Sequence, residues 1–409
     1  LNSHDLTAYA STIGLAMLLW VGSSFVEFVA IANGEARVAA LLILATQFLR
    51  SALLVAAGGL FGSVRALMYA AVVHGVLQST IVIWYVSSRF PRARWRVEWG
   101  LIRAQLAYAM PLAYAGILLW LQMYVHHYFV SNRYGAATYA IYAVGCFQLP
   151  IVAIVLESVG SVVISRVSDL RLRTETREIV RLVAGTVRLL AAVALPLYAL
   201  LLVTGPEFIT TLFTPQYRAS WPIFAVNLTL IPLSIILPAC DAVFRACPEH
   251  LPGLLKVRTA LLVPLLGGLW VATHRLGLVG PIAVVVAVTL VERVVIAVRV
   301  GRILGMSWGD LGLFRDVAKL AVAAGVAGLI TGTARHVLLG NGLREAPLAV
   351  LVISAGMFAF VHLGAVLLLR VLTPEEREAI RRWLTRRRQV LLWRRADRTW
   401  QQGAREPSV

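Results

Sequence analysis

Gln122 and His126 stand four residues apart inside an apolar run, so a helix through them carries both on one face. His127 follows one position further round, and Glu157 and Ser161 repeat the spacing on the next apolar run. Tyr139, Tyr142 and Gln148 fall between those pairs. Asp241 and Arg245 have the spacing of an ion pair within one helix, and Glu292 adjoins Arg293. Glu27 and Arg50 are their counterparts near the start of the chain. Such a mixture of amides, imidazoles, phenols, carboxylates and guanidinium groups suits the handling of a polar solute inside an apolar environment. It does not assemble a reaction centre, because the chain has no glycine-rich phosphate loop opening a helix, no HExxH and no GxSxG. The expectation is movement of a solute, with no enzyme activity and no cofactor.

The two histidines have no further ligand at helical spacing, and Cys146, Cys240 and Cys247 show neither a CxxC nor a Cys/His ligand pattern. Neither a metal nor a disulfide is therefore expected. Each polar group also has a purely local reading. Asp241 with Arg245 and Glu292 with Arg293 can self-pair near the inner boundary of a span, and a neutral, hydrogen-bonded histidine is ordinary near an outer end. Tyr139 and Tyr142 fit an interfacial aromatic belt. Glu157 is deeper, and a place in a solute path stands level with a buried structural hydrogen bond.

The elements that must hold these groups are membrane helices. The stretch from Ala104 to Asp169 contains two apolar runs split only by the polar turn Ser131-Asn132-Arg133-Tyr134-Gly135. Each run is long enough to cross a hydrocarbon core of roughly 30 Å at about 1.5 Å per helical residue. Similar runs fall at 7–31, 38–60, 64–88, 106–130, 137–165, 180–204, 221–243, 254–273, 278–300, 316–338 and 347–371, which predicts an all-α polytopic membrane protein of about eleven spans. Composition agrees: 59% of residues are hydrophobic and only 14% charged, with a mean hydropathy of +0.79, outside the soluble range. Pro222, Pro232 and Pro238 in the seventh run predict a kinked helix.

A formal charge of +18 raises the question of nucleic acid. The basic residues instead cluster in alternate loops beside the apolar runs, as the positive-inside rule requires. Arg89, Arg92, Arg94, Arg96 and Arg103 form one such group, and Arg166, Arg171, Arg173, Arg177 and Arg181 another. Arg245, Lys256 and Arg258 follow the seventh run, and Arg299, Arg302 and Arg315 the ninth. These loops and the C-terminus are assigned to the cytoplasm, which leaves Leu1 outside unless an odd number of helices precedes it. Thr373-Pro374-Glu375-Glu376 reads as a capping box. It opens a basic amphipathic helix within 373–409, expected to lie on anionic lipid.

Tyr108-x-x-Pro111, the segment YVHHYFVSNRYG from Tyr124 to Gly135, and Ala140-Ile141-Tyr142-Ala143-Val144-Gly145 resemble the seventh and eighth helices of bacterial oligosaccharide flippases. These form the polysaccharide-exporting branch of the multidrug/oligosaccharidyl-lipid/polysaccharide exporter superfamily. The outer-loop sequence Leu212-Phe213-Thr214-Pro215-Gln216-Tyr217 ahead of a proline-bearing helix is similar too. The resemblance implies about fourteen helices, as two six-helix lobes around a central cavity and an extra pair. On that template 1–98 is a partial N-terminal lobe lacking its first three helices, 99–302 a complete second lobe, 303–372 the extra pair and 373–409 a cytoplasmic tail. It further implies flipping of polyprenyl-pyrophosphate-linked oligosaccharide across the bacterial inner membrane, with membrane lipid as solvent and glycan polymerases or glycosyltransferases as partners. Many relatives carry an Asp-Arg-like pair where His126-His127 stands here. Two rivals remain: a cation-coupled exporter of small amphipathic compounds, and a non-transporting scaffold of a glycan-assembly complex.

Overall fold

The computed structural model describes residues 9–25, 29–30, 33–90, 98–340 and 346–371, and every regular element among them is helical. Nine helices among the described residues are long and apolar enough to cross a membrane, or ten if a bent pair counts as one span. Glu27 and the basic helix expected within 373–409 lie outside the described residues. The chain forms two compact units, Leu1–Ala109 and Met110–Val409.

In the first unit, α1 (Ala10–Ser23) and α2 (Ala36–Phe61) both pack on α3 (Val64–Arg89). Gly75 is required where α1 meets α3, because a Cβ there would sit 2.8 Å from the Leu19 Cβ. Two of the polar groups within this apolar packing have partners in the same unit. The His74 ring nitrogen Nε2 lies 3.2 Å from the Thr46 carbonyl. Glu35 accepts a hydrogen bond from the Tyr85 hydroxyl at 3.1 Å and pairs with Arg89 at 3.2 Å.

The helix α4 (Trp99–Arg133) runs on through Pro111, and the division between the units falls within it. The apolar run expected over 137–165 is not one helix. It divides into α5 (Ala136–Gly145) and α6 (Pro150–Leu172), because Pro150 has no N–H for a helix arriving from α5 and instead starts a new one. The run at 221–243 breaks further, into α8 (Trp221–Leu228), α9 (Leu230–Ser234) and α10 (Leu237–Ala246). The bend before α10 is 44°. Pro222 and Pro238 lie in the first turns of α8 and α10, where a missing backbone donor breaks no hydrogen bond within the helix.

Between these two broken runs lies α7 (Thr176–Leu212), the axis of the second unit. Its buried positions, including Ile179, Val183, Val187, Leu190, Ala194, Leu201 and Ile209, recur at helical spacing and meet α6 and the α8–α10 segment. Gly205 permits the closest of these approaches, because a Cβ there would overlap the Trp221 ring. The remaining helices are α11 (Leu251–Arg275), α12 (Val279–Ile303), α13 (Arg315–Gly340) and α14 (Pro347–Leu368). The last two pack together and against α7. A buried ion pair secures that docking at one end, where Arg335 on α13 reaches both oxygens of Glu207 on α7 at 2.6 and 3.0 Å. At the other end Asp316 pairs with Arg188 of α7 at 3.3 Å and with Lys319 at 3.1 Å.

Candidate functional site

A helix that breaks inside a membrane frees backbone polar groups, and those must find partners or line a wet space. Both happen where the α5–α6 break meets the α8–α9 break. The side-chain amide of Asn227, at the end of α8, donates to the Phe147 carbonyl at 3.1 Å. Alongside, Cys146, Phe147 and Gln148 of the first break and Leu230, Ile231 and Ser234 of α9 line a cavity of about 210 Å³. Its other walls come from α4 through Gln122, His126 and His127, and from α12 through Thr289, Glu292 and Arg293. The cavity lies wholly within the second unit.

On the α4 wall, His126 is 2% exposed, and its Nδ1 lies 2.7 Å from the Tyr142 hydroxyl of α5. His127 meets the Tyr139 hydroxyl at 3.4 Å through its own Nδ1. The two tyrosines thus turn inward to the histidines, which a belt residue facing the interface would not do. Gln122 is 5% exposed, and neither its amide nitrogen nor its oxygen has a hydrogen-bond partner among the described residues. A buried amide left unpaired costs about 1–3 kcal/mol, so a ligand or water that satisfied it would gain correspondingly.

The α12 wall is charged. Glu292 accepts from Arg258 Nε at 2.8 Å, and Arg293 Nη1 lies 3.5 Å from the other carboxylate oxygen. All three side chains are less than a tenth exposed. Two guanidinium groups share one carboxylate, which leaves one positive charge in excess. Asp241 also acts on Arg293, but it is committed to Arg245 at 2.7 Å. The Nε and Nη1 of Arg293 have no hydrogen-bond partner among the described residues. Sequence spacing offered Arg293 as the partner of Glu292 and placed Arg258 among loop cations. The structure keeps the Glu292–Arg293 pair, at 3.5 Å, and corrects the second reading, because helix packing brings α11 against α12 and buries Arg258 as the nearer partner.

Of the residues singled out in the sequence, Gln122, His126, His127, Gln148 and Glu292 line this one cavity, with Tyr139 and Tyr142 behind the histidines. Three groups do not join them. Glu157 is on an exposed face of α6, and its expected partner Ser161 donates instead to the Ser158 carbonyl at 2.9 Å. Arg50 is exposed on α2 in the first unit. Asp241 and Arg245 form the expected pair on α10, partly exposed and outside the cavity lining. Asn227, Arg258 and Arg293 complete the site, and only the last had a signal in the sequence, its place beside Glu292.

A bundle of apolar helices, with two apolar runs broken beside a cavity that carries polar groups on its α4 and α12 walls, defines a multi-pass membrane protein. Residues 4–222 match the model of a family described as polysaccharide biosynthesis protein, and the chain belongs to that family. The matched stretch contains Gln122, the two histidines, Tyr139, Tyr142 and Gln148, and ends before Arg258, Glu292 and Arg293. No curated protein matches the chain. The protein accordingly has a role in polysaccharide synthesis or export.

Proposed function

We propose that this protein flips polyprenyl-pyrophosphate-linked oligosaccharide across the bacterial inner membrane for surface or exopolysaccharide assembly, with its C-terminus in the cytoplasm. The observation that carries the reading is the surplus positive charge of Arg258 and Arg293, which share the Glu292 carboxylate beside a membrane cavity, together with the open donors of Arg293 and the unpaired Gln122 amide on the wall formed by α4. A buried surplus cation is costly unless an anion completes it. Pyrophosphate supplies a diffuse negative charge and many acceptor oxygens, which a planar guanidinium receives well. The lipid tail needs no protein cavity, since it can stay in the bilayer. The α5–α6 and α8–α10 breaks give the second unit places to bend during such a cycle. Membership of the polysaccharide biosynthesis family and the membrane helical fold support a transporter over an enzyme. Glycan polymerases or glycosyltransferases are the partners this reading calls for.

The test uses a strain lacking the gene, complemented with the intact gene carrying Arg293→Met. Polyprenyl-linked repeat units should accumulate and surface glycan should fall at least tenfold, with the protein present in the membrane at its usual level. Normal export by this variant would remove the basis of the proposal. Drug sensitivity with intact glycan in the deletion strain would replace it with export of small amphipathic compounds.

A further inference from the structure

Linear spacing leaves His126 and His127 without a third ligand, but folding supplies one. The α5–α6 break places Cys146 beside them, and one nitrogen from each ring and the Cys146 sulfur all lie within 4.8 Å of one another. We propose that His126, His127 and Cys146 form a binding site for a transition-metal ion of the zinc class. This inference is independent of the flipping reading.

The donor set decides the class of ion. Two imidazoles and a thiolate suit zinc and its soft or borderline neighbours, whereas magnesium and calcium take oxygen ligands. A tetrahedral zinc bound at about 2.0–2.3 Å holds its ligand atoms roughly 3.3–3.8 Å apart, so the three need to close by about 1 Å, within reach of side-chain rotation. Each histidine also has the support that ligating imidazoles need. The hydroxyls of Tyr142 and Tyr139 contact Nδ1 of His126 and His127 and orient the two rings.

Gln122 supplies the independent sign that something is bound here. It lies one turn before His126, lines the same cavity, and is buried with both amide atoms unpaired. Its oxygen can serve as fourth ligand, or its amide can bond a water in that position. Cys146 is itself buried and in no disulfide. The backbone around it is pinned by the hydrogen bond from Asn227 to Phe147. Binding would displace the thiol proton to solvent and leave two neutral imidazoles and one thiolate around the ion. The ion would then join α4 to the α5–α6 break on the cavity wall.

The test is metal binding by the full chain, purified in detergent, stripped with a chelator and dialysed. Zinc titrated against a chromophoric chelator should bind at one equivalent. Cobalt(II) should give tetrahedral d–d bands with a thiolate-to-cobalt charge-transfer band, a measurement that needs no variant. Cys146→Ser should abolish the charge-transfer band and weaken zinc binding more than tenfold, while Cys240→Ser and Cys247→Ser keep both. Tyr142→Phe should keep the band and weaken binding about 10–100-fold. The proposal is overturned if wild-type protein shows no charge-transfer band. Zinc affinity unchanged by Cys146→Ser, or a band lost with Cys247→Ser instead, would overturn it equally.

Discussion

Glu292→Gln is the most informative single change in this molecule, because it preserves shape and removes the carboxylate that Arg258 and Arg293 share. The Glu292 and Arg258 side chains are 3% and 5% exposed, so solvent screens neither. Removing one partner of a buried ion pair costs about 3–5 kcal/mol, mostly because the other charge is left uncompensated. Here two guanidinium groups are left facing each other, and the loss belongs at the upper end of that range. Arg293→Met is the opposite case. It deletes the surplus cation and leaves Arg258 and Glu292 matched one to one, so stability should change by less than about 1 kcal/mol. The two variants should therefore differ by at least about 2 kcal/mol, or more than tenfold in the unfolding equilibrium. Combining Glu292→Gln with Arg258→Met should recover much of the loss, as coupled neighbours do in a double-mutant cycle. Denaturation with an anionic detergent, followed by far-ultraviolet circular dichroism, measures all four proteins in one micelle background. Equal stability of Glu292→Gln and Arg293→Met would refute the reasoning, since it would mean that no uncompensated charge sits in this wall.

Two further outcomes follow from other contacts. Glu207→Gln should cost about 3 kcal/mol by leaving Arg335 buried without its bidentate partner, and the double change Glu207→Leu with Arg335→Leu should cost less. Thermal unfolding checks this, and a double variant weaker than the single one would contradict it. At the α6 end, the Glu249 carboxyl is held below its ordinary value, first by its own backbone N–H and then by Arg171, which it meets at 2.5 Å. A depressed carboxyl contributes stability that is present above the unfolded pKa and lost as pH falls through the folded one. The difference in Tm between wild type and Glu249→Gln should therefore be constant near neutrality and close as pH falls below about 4. A difference that stays the same across that range would show that Arg171 does not favour the ionised form.

The sequence by itself determined the class of this protein, because hydropathy is a local property. A run such as 38–60 or 278–300 has no alternative in lipid but a helix that satisfies its own backbone, and the structure forms α2 and α12 there. The polar residues of α4 were equally legible, since Gln122 and His126 share a face by helical periodicity alone. Continuity of the runs was less so. A proline in the sequence marks a possible break, but Pro111 and Pro264 stay inside helices while Pro150 starts one. Which happens depends on whether neighbours satisfy the freed carbonyl, as Asn227 does for Phe147 from 80 positions along the chain.

Only the tertiary structure decided which polar groups act together. Glu157 had the same spacing argument as His126, yet it faces outward while His126 is buried against Tyr142. Arg258 looked like one more loop cation until α11 packed on α12 and gave it Glu292. Cys146 joined the two histidines across a turn that linear spacing cannot close. Periodicity fixes the face of one helix, but a cavity belongs to several helices at once. Its residues are set by packing between distant segments, which leaves no periodic trace in any one of them.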